Sequence, residues 1–160
     1  MQIEQIQIMP VKRLYAALER EAAENTVAVV CSSYDIDERK LPIPHVSENF
    51  DDLDQEVPGR SLSAAAAGRI ADFIKGIGDT VTKIYVCCDS GESRSSAIAA
   101  AICRFYGLSD LHIWTNPKYH PNPYVFLHIC DSLNIPITDA QLDYLIEENH
   151  RAFHNAIHGN

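Results

Sequence analysis

The side chains best suited to chemistry lie in residues 86–96, which read Val-Cys-Cys-Asp-Ser-Gly-Glu-Ser-Arg-Ser-Ser. Cys88 and Arg94 stand six positions apart, Gly91 lies midway between them, and Ser95 follows the arginine. A loop of this length can curl around one tetrahedral oxyanion, with sulfur beneath it and a guanidinium holding two of its oxygens. Glycine supplies the backbone freedom that such a curl needs. The spacing therefore predicts an oxyanion-binding loop with a sulfur nucleophile.

The residues on either side of this loop predict the elements that position it. Residues 82–86 form a β-branched and aromatic run typical of a buried strand, and residues 97–103 are apolar helix formers. A loop between a strand and a helix N-terminus receives backbone N–H groups and the positive end of the helix dipole. Together with Arg94 and Ser95, this setting favours a thiolate at Cys88. A thiolate that faces a bound phosphate is a nucleophile in place.

The pattern Cys-x-x-Gly-x-x-Arg-Ser between a strand and a helix resembles the signature of cysteine-based protein tyrosine and dual-specificity phosphatases. Its Gly-x-Ser-Arg-Ser ending most resembles the dual-specificity branch and its small prokaryotic relatives. The resemblance implies a phosphatase that hydrolyses phosphate monoesters through a phosphocysteine intermediate, without metal or organic cofactor. One position departs from the family, which usually carries His directly before the nucleophile, where this chain has Cys87.

A cysteine phosphatase also needs a protonated carboxyl group that delivers a proton to the departing oxygen. In the family that this chain resembles, that aspartate lies some thirty-odd residues before the nucleophile, and small prokaryotic relatives carry Phe-x-Asp at a strand end. Phe50-Asp51-Asp52 matches this pattern. We therefore expect Asp52 to be the general acid, with Asp54 and then Asp51 as alternatives.

The resemblance assigns a role to each residue of the expected site. The catalytic residues would be Cys88, Arg94, Asp52 and Ser95, and the phosphate-binding loop would comprise Asp89, Ser90, Gly91, Glu92 and Ser93.

Strands and helices alternate along the chain, which predicts an α/β fold. We expect a three-layer α/β/α sandwich with a mostly parallel central sheet, phosphatase-like, in a single domain over residues 1–160. The expected elements include an edge strand at residues 2–8, a helix from Pro10 to about Glu24, a central strand at residues 26–31 and a brief extended segment at residues 111–114. Residues 32–35 form a polar loop at a strand C-terminus, where open α/β sheets bind ligands.

Composition limits the partners of the protein. The net charge of −9 gives no general attraction to nucleic acid or to an anionic membrane, so affinity for phosphate must be local. Asp89 and Glu92 add negative charge to the loop itself, which argues against densely charged substrates. The expected partner is a phosphorylated protein or a small phosphate ester.

Five cysteines, an odd number without a Cys-x-x-Cys pair, favour a reducing cytoplasm over a secreted disulfide framework or a zinc site.

Two other functions remain open from the sequence. Cys87 in place of His is compatible with a phosphate-binding protein that recognises phosphorylated partners without turnover. Sulfur transfer and arsenate reduction also use a cysteine in an anion-binding loop, although the longer loop that closes on Arg94 and Ser95 favours phosphoryl transfer. Nothing in the sequence separates phosphotyrosine from phosphoserine or phosphothreonine as the substrate.

Overall fold

A computed structural model describes residues 3–21 and 23–159 of the chain. Strands and helices alternate through its first two thirds, and the last third is helical. The elements in chain order are β1 (Gln5–Pro10), α1 (Val11–Arg20), β2 (Thr26–Ser32), a 3-10 turn (Glu38–Lys40), β3 (His45–Asn49), α2 (Ala64–Lys75), β4 (Lys83–Cys88), α3 (Arg94–Phe105), α4 (Leu111–Trp114), α5 (Pro123–Ser132) and α6 (Asp139–His158).

The four strands of the described ranges form one sheet in the order β1-β4-β2-β3, and every neighbouring pair is parallel. The central strands β2 and β4 are buried almost throughout, because helices cover both faces of a parallel sheet. Their apolar, β-branched sequences suit this position. The predicted α/β fold with a parallel central sheet is confirmed.

Helices cover the sheet on two sides, which makes three layers. On one face, Leu14 of α1 packs with Met9, Tyr85 and Cys87. On the other face, α2, α3 and α5 pack against residues that include Val86 and Cys88. Because successive residues of a strand point to opposite faces, the adjacent Cys87 and Cys88 belong to different layers.

The helix ends follow the capping signals of the sequence. Ser63 accepts a hydrogen bond from the Ala66 N–H at the start of α2, and Asn122 accepts one from the Val125 N–H at the start of α5. Thr138 and Gln141 form a capping box on α6. Gly107 follows α3 with a φ of 71°, the left-handed conformation expected after a helix.

The sequence prediction was wrong for one element type and for two element boundaries. Residues 111–114 are not extended but form the short helix α4. The helical turn brings the buried Trp114 back over Asp110, whose carboxylate accepts hydrogen bonds from the indole Nε1–H at 3.0 Å and from Arg104 Nε at 2.8 Å. Helix α1 ends at Arg20 rather than near Glu24, and β1 extends from Gln5 to Pro10. Gln2, where that strand was predicted to begin, lies outside the described residues.

Within the described ranges, the chain contains no helix with the length and apolar character needed to cross a membrane.

Candidate active site

Cys88 is the last residue of β4 and Arg94 is the first of α3, so the intervening loop lies between a strand end and a helix N-terminus as predicted. The Cys88 side chain is buried. Its Sγ accepts a hydrogen bond from the backbone N–H of Gly91 at 3.3 Å, and Ser95 Oγ lies 3.0 Å from the same sulfur. These two neighbours can stabilise negative charge on the sulfur.

Gly91 makes the curl of the loop possible for two reasons. Its φ of 71° is a conformation that residues with a side chain rarely adopt. A Cβ atom at this position would also lie 2.7 Å from the backbone nitrogen of Pro10 and 2.8 Å from the carbonyl carbon of Met9. The loop therefore packs directly against the end of the neighbouring strand β1, with no room for a larger residue.

The guanidinium of Arg94 is held by three elements of the fold. Its Nη1 donates to Ser33 Oγ at 3.0 Å and to the carbonyl oxygen of Phe50 at 2.7 Å, and its Nη2 donates to Asp89 Oδ2 at 2.9 Å. Ser33 follows β2, and Phe50 follows β3. The side chain is only 7% exposed. The carboxyl ends of two strands and the loop itself thus fix the position of one cation.

One nitrogen of Arg94 makes no hydrogen bond at all to the described residues. This is Nε, which is buried. A guanidinium carries five N–H groups, and the contacts above occupy both of those on Nη1 and one on Nη2. Leaving a buried donor unsatisfied costs about 1–3 kcal/mol. A bound oxyanion would satisfy both the Nε–H and the remaining N–H of Nη2.

Asp89 is the carboxylate partner of Arg94. It also accepts hydrogen bonds from Ser32 Oγ and, at 2.9 Å, from the backbone N–H of Ser33. Burial by itself would raise the pKa of Asp89, but the hydrogen bonds from Ser32, Ser33 and Arg94 outweigh it and lower the pKa. Asp89 therefore remains ionised, and it ties the loop to the end of β2.

The structure brings Asp52 to the rim of the loop. Its Oδ1 accepts a hydrogen bond from Ser93 Oγ at 2.9 Å and another from Asn122 Nδ2 at 2.8 Å, while the residue as a whole is exposed. The Asn122 amide also donates to the carbonyl oxygen of Leu53 at 3.0 Å. One side chain thus caps α5 and holds residues 50–60, the aspartate loop, beside residues 88–95, the phosphate loop.

The two alternative aspartates occupy different surroundings. Asp51 forms an ion pair with Arg60 at 3.0 Å, and hydrogen bonding by Ser33 and Arg60 lowers the pKa of Asp51. A carboxyl group held in its ionised form is a poor proton donor. Asp54 does not contact the loop through any hydrogen bond of the described residues, but it lines a cleft of about 400 Å³ together with Asp52, Ser93, His120 and His150.

Two backbone carbonyls, those of Glu92 and Ser93, hold the outer side of the loop. Ser90 and Glu92 have exposed side chains. The Glu92 carbonyl accepts hydrogen bonds from the backbone N–H of His120 at 3.0 Å and from Ser96 Oγ at 2.6 Å, and the Ser93 carbonyl accepts one from the backbone N–H of Asn122 at 3.2 Å. Residues 120–122 thus support the outer side of the loop.

The nearest other cysteines are kept neutral. Burial raises the pKa of Cys87, which packs on the opposite face of the sheet. Burial, and then the charge of the nearby Cys88, raise the pKa of Cys31 on β2. In residues 3–21 and 23–159, no group of three His, Cys, Asp or Glu side chains is placed to hold a metal ion.

Sequence reasoning missed three contributors to this site: Ser32, Ser33 and the carbonyl of Phe50. The signal for the serines was present, because a polar loop at the C-terminal end of a strand is where open α/β sheets bind ligands. Their partner could not be identified, since Ser33 and Arg94 are 61 positions apart. A backbone carbonyl such as that of Phe50 carries no sequence signal.

Comparison with known proteins gives matches of structure only. No family model matches the chain, and no curated protein matches it. The chain is similar to human DUSP28, at 14% identity and a TM-score of 0.48, with 94% of each chain covered. It is also similar to PTPMT1 in complex with PI(5)P, at 17% identity and a TM-score of 0.47, with 96% of this chain and 95% of that one covered. A third similarity is to Tk-PTP in the active form, at 14% identity and a TM-score of 0.42, with 91% and 90% covered.

These three structures are of dual-specificity and tyrosine phosphatases, the superfamily that residues 88–95 resemble. Because every identity is below 20% and every TM-score below 0.5, we take the function of this chain from the geometry of its own site.

Proposed function

We propose that the protein is a cysteine-dependent phosphatase that hydrolyses phosphate monoesters. One observation carries this proposal: a single curled loop holds both a buried sulfur and a buried guanidinium. The sulfur of Cys88 faces two hydrogen-bonding groups, and the Nε–H of Arg94 lacks an acceptor among the described residues. A bound phosphate dianion would supply acceptors for the Nε–H and the remaining Nη2 N–H of Arg94. It would also bring phosphorus within reach of the sulfur.

In the first step, the thiolate of Cys88 attacks phosphorus. The S–P bond forms while the P–O bond to the alcohol or phenol breaks, and Asp52 donates its proton to the departing oxygen. Arg94 and the backbone N–H groups of the loop hold the equatorial oxygens, where charge is spread in the transition state. The products are the free hydroxyl compound and a phosphocysteine.

In the second step, water attacks the phosphorus of the phosphocysteine and the S–P bond breaks. Asp52, now ionised, accepts the proton of the water, as microscopic reversibility requires. Ser95 Oγ, which lies 3.0 Å from Sγ, donates a hydrogen bond to the departing sulfur. Inorganic phosphate leaves and the thiolate is regenerated, so no metal or organic cofactor enters the cycle.

The substrate we propose is a phosphotyrosine, phosphoserine or phosphothreonine of a protein, or a small phosphate ester. The described part of the chain contains five free, buried cysteines. A site that depends on a reduced sulfur, in a chain whose other thiols also remain free, fits a reducing compartment such as the cytoplasm.

Hydrolysis of p-nitrophenyl phosphate in the presence of a metal chelator tests this proposal. We expect the wild type to turn over and Cys88→Ser to show no turnover, because a hydroxyl is a far weaker nucleophile at this site. Cys88→Ser should still bind tungstate, since the loop and Arg94 remain. Acid quenching of the wild type during turnover should trap phosphorus on Cys88.

Two results would contradict the proposal. A wild type that binds tungstate but neither hydrolyses aryl phosphates nor forms phosphocysteine would be a phosphate-binding protein. Measurable turnover by Cys88→Ser would show that the sulfur is not the nucleophile.

A further inference from the structure

The phosphate loop contains two acidic residues, and the fold treats them differently. Glu92 is exposed, and none of the hydrogen bonds in the described part of the chain involves its carboxylate. The Asp89 side chain is only 27% exposed and points toward the guanidinium of Arg94. From the sequence, both residues add negative charge to an anion site. The structure separates them.

Three donors converge on the carboxylate of Asp89. They are Ser32 Oγ, the backbone N–H of Ser33 and Arg94 Nη2. The first two belong to the end of β2, so Asp89 links that strand to the loop. Ser33 acts on the other end of the same guanidinium, because its Oγ accepts a hydrogen bond from Nη1.

This arrangement leaves the side of Arg94 that carries Nε for a ligand. Asp89 accepts a hydrogen bond from Nη2 and Ser33 accepts one from Nη1, whereas Nε is buried without an acceptor in the described residues. A free arginine side chain would have to be ordered when the anion binds. A guanidinium fixed beforehand binds without that entropic cost and needs no reorganisation as charge develops.

We propose that Asp89 is a positioning residue that holds Arg94 in its anion-binding orientation. Its effect on oxyanion binding is independent of turnover, whereas its effect on rate rests on the proposed phosphatase function. Asp89 thus favours anion binding, whereas a negative charge in an anion site is expected to oppose it.

The sign of a substitution separates the two roles. A carboxylate that acted only through its charge would repel an oxyanion, so removing it would tighten binding. A carboxylate that positions Arg94 would weaken binding when it is removed. Asp89→Asn is the informative change, because an amide keeps the size but has only one acceptor oxygen for three donors. Glu92→Gln is the matched control, since it removes the same charge from the same loop without touching Arg94.

The experiment is isothermal titration of sodium tungstate into five proteins: wild type, Asp89→Asn, Glu92→Gln, Arg94→Lys and the double variant Asp89→Asn with Arg94→Lys. We expect Glu92→Gln to bind tungstate as tightly as wild type or more tightly. Asp89→Asn should bind it about ten-fold to a hundred-fold more weakly, the effect of losing one hydrogen bond to a charged group. In the Arg94→Lys background the same change should cost less than about three-fold, because a lysine lacks the planar fork that Asp89 holds.

Tungstate binding by Asp89→Asn equal to or tighter than that of wild type would overturn the proposal. So would an equal loss in the Arg94→Lys background, which would show that Asp89 does not act through Arg94. If Asp89→Asn does not fold, Ser32→Ala replaces it, because that change removes one of the contacts that orient Asp89. We expect Ser32→Ala to weaken tungstate binding, and unchanged affinity in a folded Ser32→Ala would also refute the proposal.

Failure of this inference is distinguishable from failure of the proposed function. A wild type that binds tungstate without hydrolysing aryl phosphates refutes the phosphatase, and the comparison of Asp89→Asn with Glu92→Gln still decides the role of Asp89. A wild type that hydrolyses aryl phosphates, with Asp89→Asn unimpaired in tungstate binding, refutes only the positioning role. A wild type that does not bind tungstate contradicts both.

Discussion

The phosphate loop at residues 88–95 and the aspartate loop at residues 50–60 lie side by side but are built differently. In the first, Cys88, Arg94 and Ser95 are buried, and strands, a helix and five hydrogen bonds determine their positions. In the second, Asp52 is exposed and is held through one carboxylate oxygen by Ser93 and Asn122. In the proposed mechanism, the groups that bind and attack the phosphate thus belong to the core, while the proton donor lies at the surface.

This difference has a functional consequence. An oxyanion must be surrounded by fixed donors, which a buried and rigid loop provides. A proton donor must reach a leaving group that is still part of a large substrate, so it belongs at the rim. Changes that distort the backbone of the phosphate loop should therefore abolish binding and turnover together, and changes in the aspartate loop should reduce only the rate.

The largest effect is expected from Gly91→Ala. Both the φ of 71° and the contact of 2.7 Å with the Pro10 nitrogen oppose a Cβ there, so the loop must open and lose tungstate binding and turnover together. Gly107→Ala is the matched control, because it has the same φ but no atom within 4 Å of the added Cβ. It should cost about 1–2 kcal/mol of stability and leave activity intact. Tungstate titration measures the binding of each variant, and urea unfolding measures its stability. A Gly91→Ala protein with wild-type affinity for tungstate would contradict the packing argument.

Asp52→Asn should come next, with a loss of about 10²–10⁴-fold in kcat for phenyl phosphate. The loss should be much smaller for p-nitrophenyl phosphate, whose leaving group needs less help from an acid, and tungstate affinity should stay within a few-fold of wild type. Asp51→Asn is the control, since it removes a neighbouring carboxylate that forms a surface ion pair with Arg60. If Asp52→Asn reduced the rates of both esters equally, or Asp54→Asn showed the larger leaving-group effect, Asp52 would not be the acid.

Asn122→Ser should have the smallest effect. Serine keeps an N-cap oxygen for the Val125 N–H but loses the amide that donates to Asp52 and to Leu53. We expect kcat for phenyl phosphate to fall on the order of ten-fold, as one hydrogen bond implies, with little change in the melting temperature. Combined with Asp52→Asn, the change should add little to the loss of rate. An additive loss in the double variant would show that Asn122 does not act through Asp52.

Much of the fold was predictable, because local patterns carry it. A β-branched and aromatic run located the strand before Cys88, and apolar helix formers located the helix after it. The conformation of residues 111–114 was predicted wrongly, since a segment of four residues is too short to show a helical or strand periodicity. Their helical turn depends on Asp110, which binds both Trp114 and Arg104.

The sequence by itself determined the chemistry that we propose for this protein. The types and spacing of Cys88, Gly91, Arg94 and Ser95 specify an anion loop with a sulfur, because all its parts lie within eight residues and a strand-to-helix junction arranges them locally. Only the tertiary structure decided what surrounds that loop. It distinguished Asp52 from Asp51, made Asp89 a partner of Arg94 and left Glu92 in solvent. The physical reason is that these distinctions depend on Ser33, Phe50 and Asn122, which parallel strands and helix packing bring to the loop from distant parts of the chain.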